Sequence, residues 1–191
     1  MDAGTRSHGL SLVGVAAKYP KALPGGGRES LADRINGCMT RSMNGRPLPE
    51  PGPEMHAFVA YIDTLAAYPG SYGDPAEDPD ALAAPGQPPD PARGAALYLA
   101  QCAACHRPDG SGMRTGTVGD AEGYLHPPLW GPDSFNAAAG MGRIATAAAF
   151  IHANMPLGSS QAAPVLTPED AWDIAAYLDS RPRPPAPKPT R

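Results

Sequence analysis

Aromatic residues are scarce, at 6% of 191 residues, so a core built on ring stacking is not expected. Cysteine is scarcer still. Three residues are too few, and of the wrong parity, for a disulfide scaffold. No apolar run approaches the ~18–20 residues that span a bilayer, so no membrane span is expected. Positive charge is not in excess: the formal net charge of −4 excludes a general nucleic-acid binder. The residues after Met1 also lack the basic-then-apolar order of an export signal. A chain this poor in rings and bridges needs some other staple, which directs attention to a metal or a covalent cofactor.

Glycine and proline are abundant by contrast, with 22 and 25 residues, close to low-complexity composition. The prolines fall in blocks. Residues 46–53 read as a stiff connector, and residues 69–90 as a Pro-rich interdomain linker. Residues 181–191 alternate proline with basic residues and are expected to form a disordered tail that cannot pack. Charge is also divided. Residues 1–50 carry seven Lys/Arg against four Asp/Glu, whereas the remainder carries eight against fifteen. A basic part and an acidic part suggest different partners.

Between the proline blocks the pattern is helical. Glu29–Met43 ends at Asn44-Gly45. Glu54–Ala67 places Met55, Phe58, Val59, Ile62 and Leu65 at helical spacing. Asp90-Pro91 is a cap and first-turn proline opening a helix toward Cys102. Thr146–Asn154 is a short helix ended by Pro156. Thr167-Pro168-Glu169-Asp170 caps a last helix through Trp172, Ile174 and Tyr177. No segment alternates as a strand, so the expected fold class is all-α with long loops.

Cys102-Ala103-Ala104-Cys105-His106 is C-x-x-C-H, the attachment signal for c-type haem. Two thiols reach the two vinyl groups on one porphyrin edge, and the next residue presents its imidazole to iron. Gly110, Gly112 and Gly116 supply a loop loose enough to wrap a flat cofactor. The competing readings are a zinc half-site, which needs a second Cys/His pair, and a redox dithiol, which needs a βαβ setting. The sixth ligand is expected to be a soft sulfur or an imidazole from the loop closing the other face. Met155, followed by Pro156 and then a capped helix, has that layout; Met141 is the alternative. Pro127-Pro128-Leu129 resembles the P-x-L segment whose proline carbonyl accepts the histidine N–H. His8, His56, His126 and His152 read as surface or loop residues.

The remaining cysteine, Cys38, shares a helix stripe with Arg34 and Arg41. Two guanidiniums beside a thiol favour its thiolate form and attract anions. The plainer reading is a buried structural cysteine with two solvated arginines.

Taken together, Asp2-Ala3-Gly4, residues 12–16, Asp33–Pro49, Glu54-Met55, Cys102–His106 and Pro127–Asn136 resemble the dihaem cytochrome c thiosulfate dehydrogenases that form tetrathionate. Gly140-Met141, Phe150–Pro156 and Ala171–Tyr177 extend the likeness over most of the chain outside linker and tail. The resemblance implies a partial N-terminal cytochrome c-like domain at 1–68 and a class I cytochrome c-like domain at 91–180. It implies one covalent haem c on Cys102 and Cys105, with His106 and Met155 as iron ligands, and a second haem in the full-length protein. Cys38 would ligate that second iron and serve as a transient sulfur acceptor. Arg34, with Arg28 and Arg41, would bind the dianionic substrates. Asn154 stands where some members carry a competing lysine.

In the family, the Asp-Ala-Gly stretch follows the first C-x-x-C-H; here Asp2-Ala3-Gly4 follows Met1. The expectation is a truncated start, with the first haem motif and an export signal encoded upstream, and a periplasmic location. The implied partners are thiosulfate and tetrathionate, and an external electron-acceptor cytochrome or similar redox protein. The alternatives are a non-catalytic monohaem electron carrier and a structural or sensing haem module.

Overall fold

The computed structural model describes residues 12–67, 82–117, 122–160 and 162–187. Asp2-Ala3-Gly4 and His8, residues 69–81 of the expected linker, and residues 188–191 of the tail lie outside the described residues. The chain divides into two compact units. The first comprises residues up to Thr40 together with Gly45–Ala81; the second comprises Arg41–Asn44 and everything from Leu82 onward.

In the first unit, a short hairpin pairs β1 (Lys21–Ala22) with β2 (Arg28–Glu29) in antiparallel register. Its reversal uses Gly25, Gly26 and Gly27 in left-handed conformation, φ 96°, 98° and 88°, which side-chain-bearing residues resist. Helix α1 (Leu31–Gly37) begins at a capping box: Ser30 Oγ accepts from the Asp33 N–H, and the Asp33 carboxylate accepts from the Ser30 N–H. The helix was expected to start at Glu29, but that residue belongs to β2, and the Ser30 cap sets the start. The chain continues as one wider turn, Cys38–Ser42. Helix α2 (Pro53–Thr64) starts on its own proline after Gly52 and runs into a tight turn at Leu65–Ala67. Val15, Ile35, Met55 and Ile62 form the core, with Leu31, Met39, Leu48 and Val59 against it. Phe58, from the expected apolar stripe, stays exposed.

In the second unit, α3 (Pro91–Gln101), α5 (Ile144–Asn154) and α6 (Pro168–Asp179) form the frame, with α6 packed on both α3 and α5. The short α4 (Ala103–His106) follows α3 almost directly. The core is aliphatic and alanine-rich: Ala147, Ala148, Ile151, Leu166, Ala171, Ile174 and Ala175. Small residues let the helices approach closely. A Cβ on Gly94 would lie 2.0 Å from the Asp173 carbonyl oxygen. Asp173, itself buried, accepts from the Asp90 N–H at 2.7 Å and from Arg93 Nε, while Arg93 also reaches Asp170 at 2.7 Å. The few rings are pooled: Tyr98, Trp130 and Tyr177 lie 5.0–5.7 Å apart, centroid to centroid.

The all-α expectation holds, with two small departures. Besides β1–β2, β3 (Met113–Arg114) pairs antiparallel with β4 (Tyr124–His126). The tail expected to stay unpacked from Arg181 instead docks over residues 181–187. The Gly131 N–H donates to the Pro182 carbonyl (2.8 Å), and the Ala137 N–H donates to that of Pro184 (3.0 Å). Proline lacks a donor but keeps its carbonyl, so a proline-rich strand can still accept along one edge. Among the described residues, no helix is long and apolar enough to cross a membrane.

Candidate functional site

The end of α3 sets up the attachment motif. Cys102 terminates α3, with its N–H on the Tyr98 carbonyl, and serves as the start of α4. The N–H groups of Cys105 and His106 both donate to the Cys102 carbonyl, at 3.1 and 2.9 Å. One helical turn therefore separates the two thiols, and both are free and half-buried. Burial, with Cys105 adding in the same direction, pushes the Cys102 thiol up to about 11. A thiol held protonated is not poised as a dithiol redox couple, which needs a ready thiolate.

His106 is 9% exposed. Its Nδ1 lies 2.8 Å from the Pro127 carbonyl oxygen, so Nδ1–H donates there and Nε2 keeps its lone pair. Burial lowers the imidazole's pKa, the Pro127 carbonyl pulls it the other way, and His126 adds to the lowering; the net direction is down. The neutral ring is the form that binds a metal.

The loops around His106 are held by contact, not by looseness. Gly112 donates its N–H to the His106 carbonyl (3.1 Å). A Cβ there would meet the His126 oxygen at 2.4 Å and Pro127 C at 2.7 Å. A Cβ on Gly110 would sit 2.3 Å from the Trp130 ring. His126, expected to be a surface or loop residue, lies edge-on to His106 at 6.0 Å in β4.

Met155 follows α5 directly. Its backbone is extended (φ −128°, ψ 148°), its N–H donates to Ile151, and its side chain packs on the unit's core. Met141, in the turn Gly140–Gly142, packs on the same core. Among the described residues, no group of three His, Cys, Asp or Glu side chains converges as a zinc site requires. Two thiols one helical turn apart, the oriented imidazole with Nε2 available, and the glycine-bounded loop fit a covalently attached haem c.

In the first unit, Arg34 Nη1 donates to Cys38 Sγ at 3.3 Å. Of the other two arginines expected to bind the dianions, Arg28 donates to the Pro20 carbonyl at 2.8 Å. Arg41 lies in the turn after Cys38, and its carbonyl accepts from the Asn136 N–H at 3.2 Å. The residue that sequence reasoning missed is Asn36. Its amide brackets Leu48, with Nδ2 to the carbonyl (3.1 Å) and Oδ1 from the N–H (2.7 Å), and Nδ2 also reaches Glu50. The loop from Cys38 to Leu48 is thereby closed at its base. An asparagine one residue before a glycine in a helix's last turn was the available signal.

The cytochrome c family model matches residues 91–182. The curated thiosulfate dehydrogenase of Allochromatium vinosum is 41% identical over 197 residues, covering 99% of this chain and 68% of that protein. That of Stutzerimonas stutzeri is 39% identical, covering 98% of this chain and 59% of that protein. The solved thiosulfate dehydrogenase TsdBA of Marichromatium purpuratum, as isolated, superposes with a TM-score of 0.74 at 37% identity. That match covers 94% of this chain and 38% of the solved one. The chain thus spans about two thirds of one curated relative, and less of the other and of the solved structure.

Proposed function

The chain belongs to the thiosulfate dehydrogenase family, and on that premise we propose that it joins two thiosulfates into tetrathionate in periplasmic sulfur-compound oxidation. One S–S bond forms between the terminal sulfurs, two electrons leave, and no proton is gained or lost. Haem c, when bound, supplies a one-electron iron couple. The chain's own residues do the rest. Cys102 and Cys105 anchor the cofactor, and His106, fixed by Pro127, offers Nε2 to iron. Met155 would be the second iron ligand, and a thioether ligand would favour a higher potential.

Cys38 is the proposed thiolate ligand of the second haem of the dihaem protein, and the sulfur that faces substrate. Arg34, already on that sulfur, offsets the repulsion between incoming dianions. Residues 1–68 are read as a partial cytochrome c-like domain and 91–180 as the complete one, which passes electrons singly to an external acceptor cytochrome.

The observation that carries the enzyme reading is the 3.3 Å contact between Arg34 Nη1 and Cys38 Sγ, since a mere carrier has no use for a cation on a thiol away from its haem. The test is thiosulfate-driven haem reduction in the dihaem protein, followed by absorbance. Cys38→Ala and Arg34→Ala are expected to slow it on the order of 100-fold or more, with the spectrum of the His106 haem unchanged. Reduction at the parent rate in both variants would overturn the assignment of Cys38 and Arg34, and no thiosulfate-driven reduction in the parent protein would establish the chain as an electron carrier.

A further inference from the structure

We propose that the segment after α6 is a clamp that positions the acceptor of the His106 imidazole, with Arg181 and Arg183 as its positioning residues. The inference rests on the haem reading above. Three observations within the second unit carry it.

First, the segment is fastened to one loop at both ends of that loop. Gly131 donates to Pro182 (2.8 Å) and Ala137 donates to Pro184 (3.0 Å). Second, both arginines stack on rings. Arg181 lies 5.4 Å from the Trp130 centroid and 5.5 Å from that of Tyr177; Arg183 lies 4.3 Å from that of Phe135. Third, the clamped loop leads straight back to the histidine. Pro127, whose carbonyl holds His106 Nδ1 at 2.8 Å, is four residues before Gly131. Two adjacent prolines, Pro127 and Pro128, take most of the slack out of that short span. Leu129 donates to the Gly110 carbonyl at 2.9 Å, and Trp130 covers Gly110 so closely that no Cβ fits.

Docking works against a cost. Arg183 Nη2 donates to the Leu178 carbonyl at 2.5 Å, but Nη1 is buried with no acceptor among the described residues. An unsatisfied buried donor opposes docking, and the main-chain bonds and stacked cations offset it. Removing the two cations takes away the ring contacts and the Leu178 bond and is expected to loosen the clamp. Its chemical effect follows from ligand basicity. A firm Nδ1–H···O=C bond gives the imidazole anionic character and stabilises ferric iron. A slackened loop weakens the bond and raises the reduction potential.

The test uses the haem-loaded chain and two variants, Arg181→Ala/Arg183→Ala and a chain ended at Ser180. Two quantities are read: solvent exchange of His106 Nδ1–H by NMR, and the haem reduction potential. In both variants the proposal expects exchange about tenfold faster and a shift to higher potential. Should the shortened chain fail to fold, the double substitution decides alone. Exchange and potential equal to the parent's, in a variant whose released tail is cut by trypsin, overturn the clamp and leave the haem reading standing. A parent chain without covalent haem on a denaturing gel overturns both.

Discussion

Gly112 occupies a place that nothing larger fits. Its φ of +71° is left-handed, and an added Cβ would press on the His126 carbonyl and the Pro127 backbone. Gly112→Ala therefore combines backbone strain with a push on the very carbonyl that orients His106. We expect a loss of about 2–4 kcal/mol, read by thermal unfolding, together with lower haem occupancy. Asp173 is the second sensitive position. It is 5% exposed and bonds both Arg93 and the Asp90 N–H. Asp173→Ala leaves the Asp90 N–H without its acceptor and Arg93 with Asp170 alone, and is expected to cost about 1–3 kcal/mol in urea unfolding, whereas Asp173→Asn keeps one acceptor and costs less. These two positions differ in how readable they were. The glycines after C-x-x-C-H announced a loop around a flat cofactor, yet their reason is close contact with Trp130 and Pro127, which only the fold reveals. Asp173 gave no signal, because a carboxylate in a helix is ordinarily a solvated one.

The helices were legible at their ends because capping chemistry is local. Asp90 with Pro91 and Thr167 with Asp170 cap as their side chains dictate, whereas the Ser30–Asp33 box that starts α1 went unread in favour of a start at Glu29. Thr167→Ala is expected to cost about 1 kcal/mol. The same box gives α6 an acid dependence. Burial raises the Asp170 pKa, but hydrogen bonds from Thr167 and Arg93 outweigh it, and the net direction is below the ordinary 3.8. The carboxylate's stabilisation is thus complete above that ordinary value and is lost as pH falls through the lower folded value. Asp170→Asn should flatten the acid limb of a stability-against-pH curve below about pH 4 and leave neutral slopes unchanged. What the sequence hid at this scale is non-local. β3 and β4 are two and three residues long, too short to alternate. Arg114 of β3 and Tyr124 of β4 both reach Asp133, at 2.9 and 3.0 Å. The docked tail was hidden for the same reason: proline spacing says nothing about which carbonyls a distant loop will use.

At the scale of the whole chain, scarcity of rings and abundance of proline and glycine have a common answer. The second unit gathers Tyr98, Trp130 and Tyr177 into one cluster beside the attachment motif and fills the rest with alanine and aliphatic side chains. The first unit rests on a smaller core around Val15, Ile35, Met55 and Ile62. The second unit contains the C-x-x-C-H, both candidate methionines and the whole of the family match at 91–182. It should therefore form without residues 1–81, though not at full strength, because Arg41–Asn44 belong to it. Asn136, 1% exposed, donates its N–H to the Arg41 carbonyl at 3.2 Å and its Nδ2 to Asn44 Oδ1 at 3.2 Å. Asn44 in turn reaches the Pro132 carbonyl at 3.4 Å. A chain beginning at Leu82 loses these partners and leaves a buried amide partly unsatisfied, worth about 1–3 kcal/mol. Expressed with a haem-attachment system, that chain is expected to carry one haem by pyridine haemochrome and to melt in a single transition at a lower temperature than the parent. Asn136→Ala in the parent should reproduce only part of the drop, since it removes the Nδ2 bond to Asn44 but keeps the main-chain bond to Arg41. A fragment that takes no haem, or that melts without cooperativity, would show instead that the second unit needs residues 1–81 to fold at all.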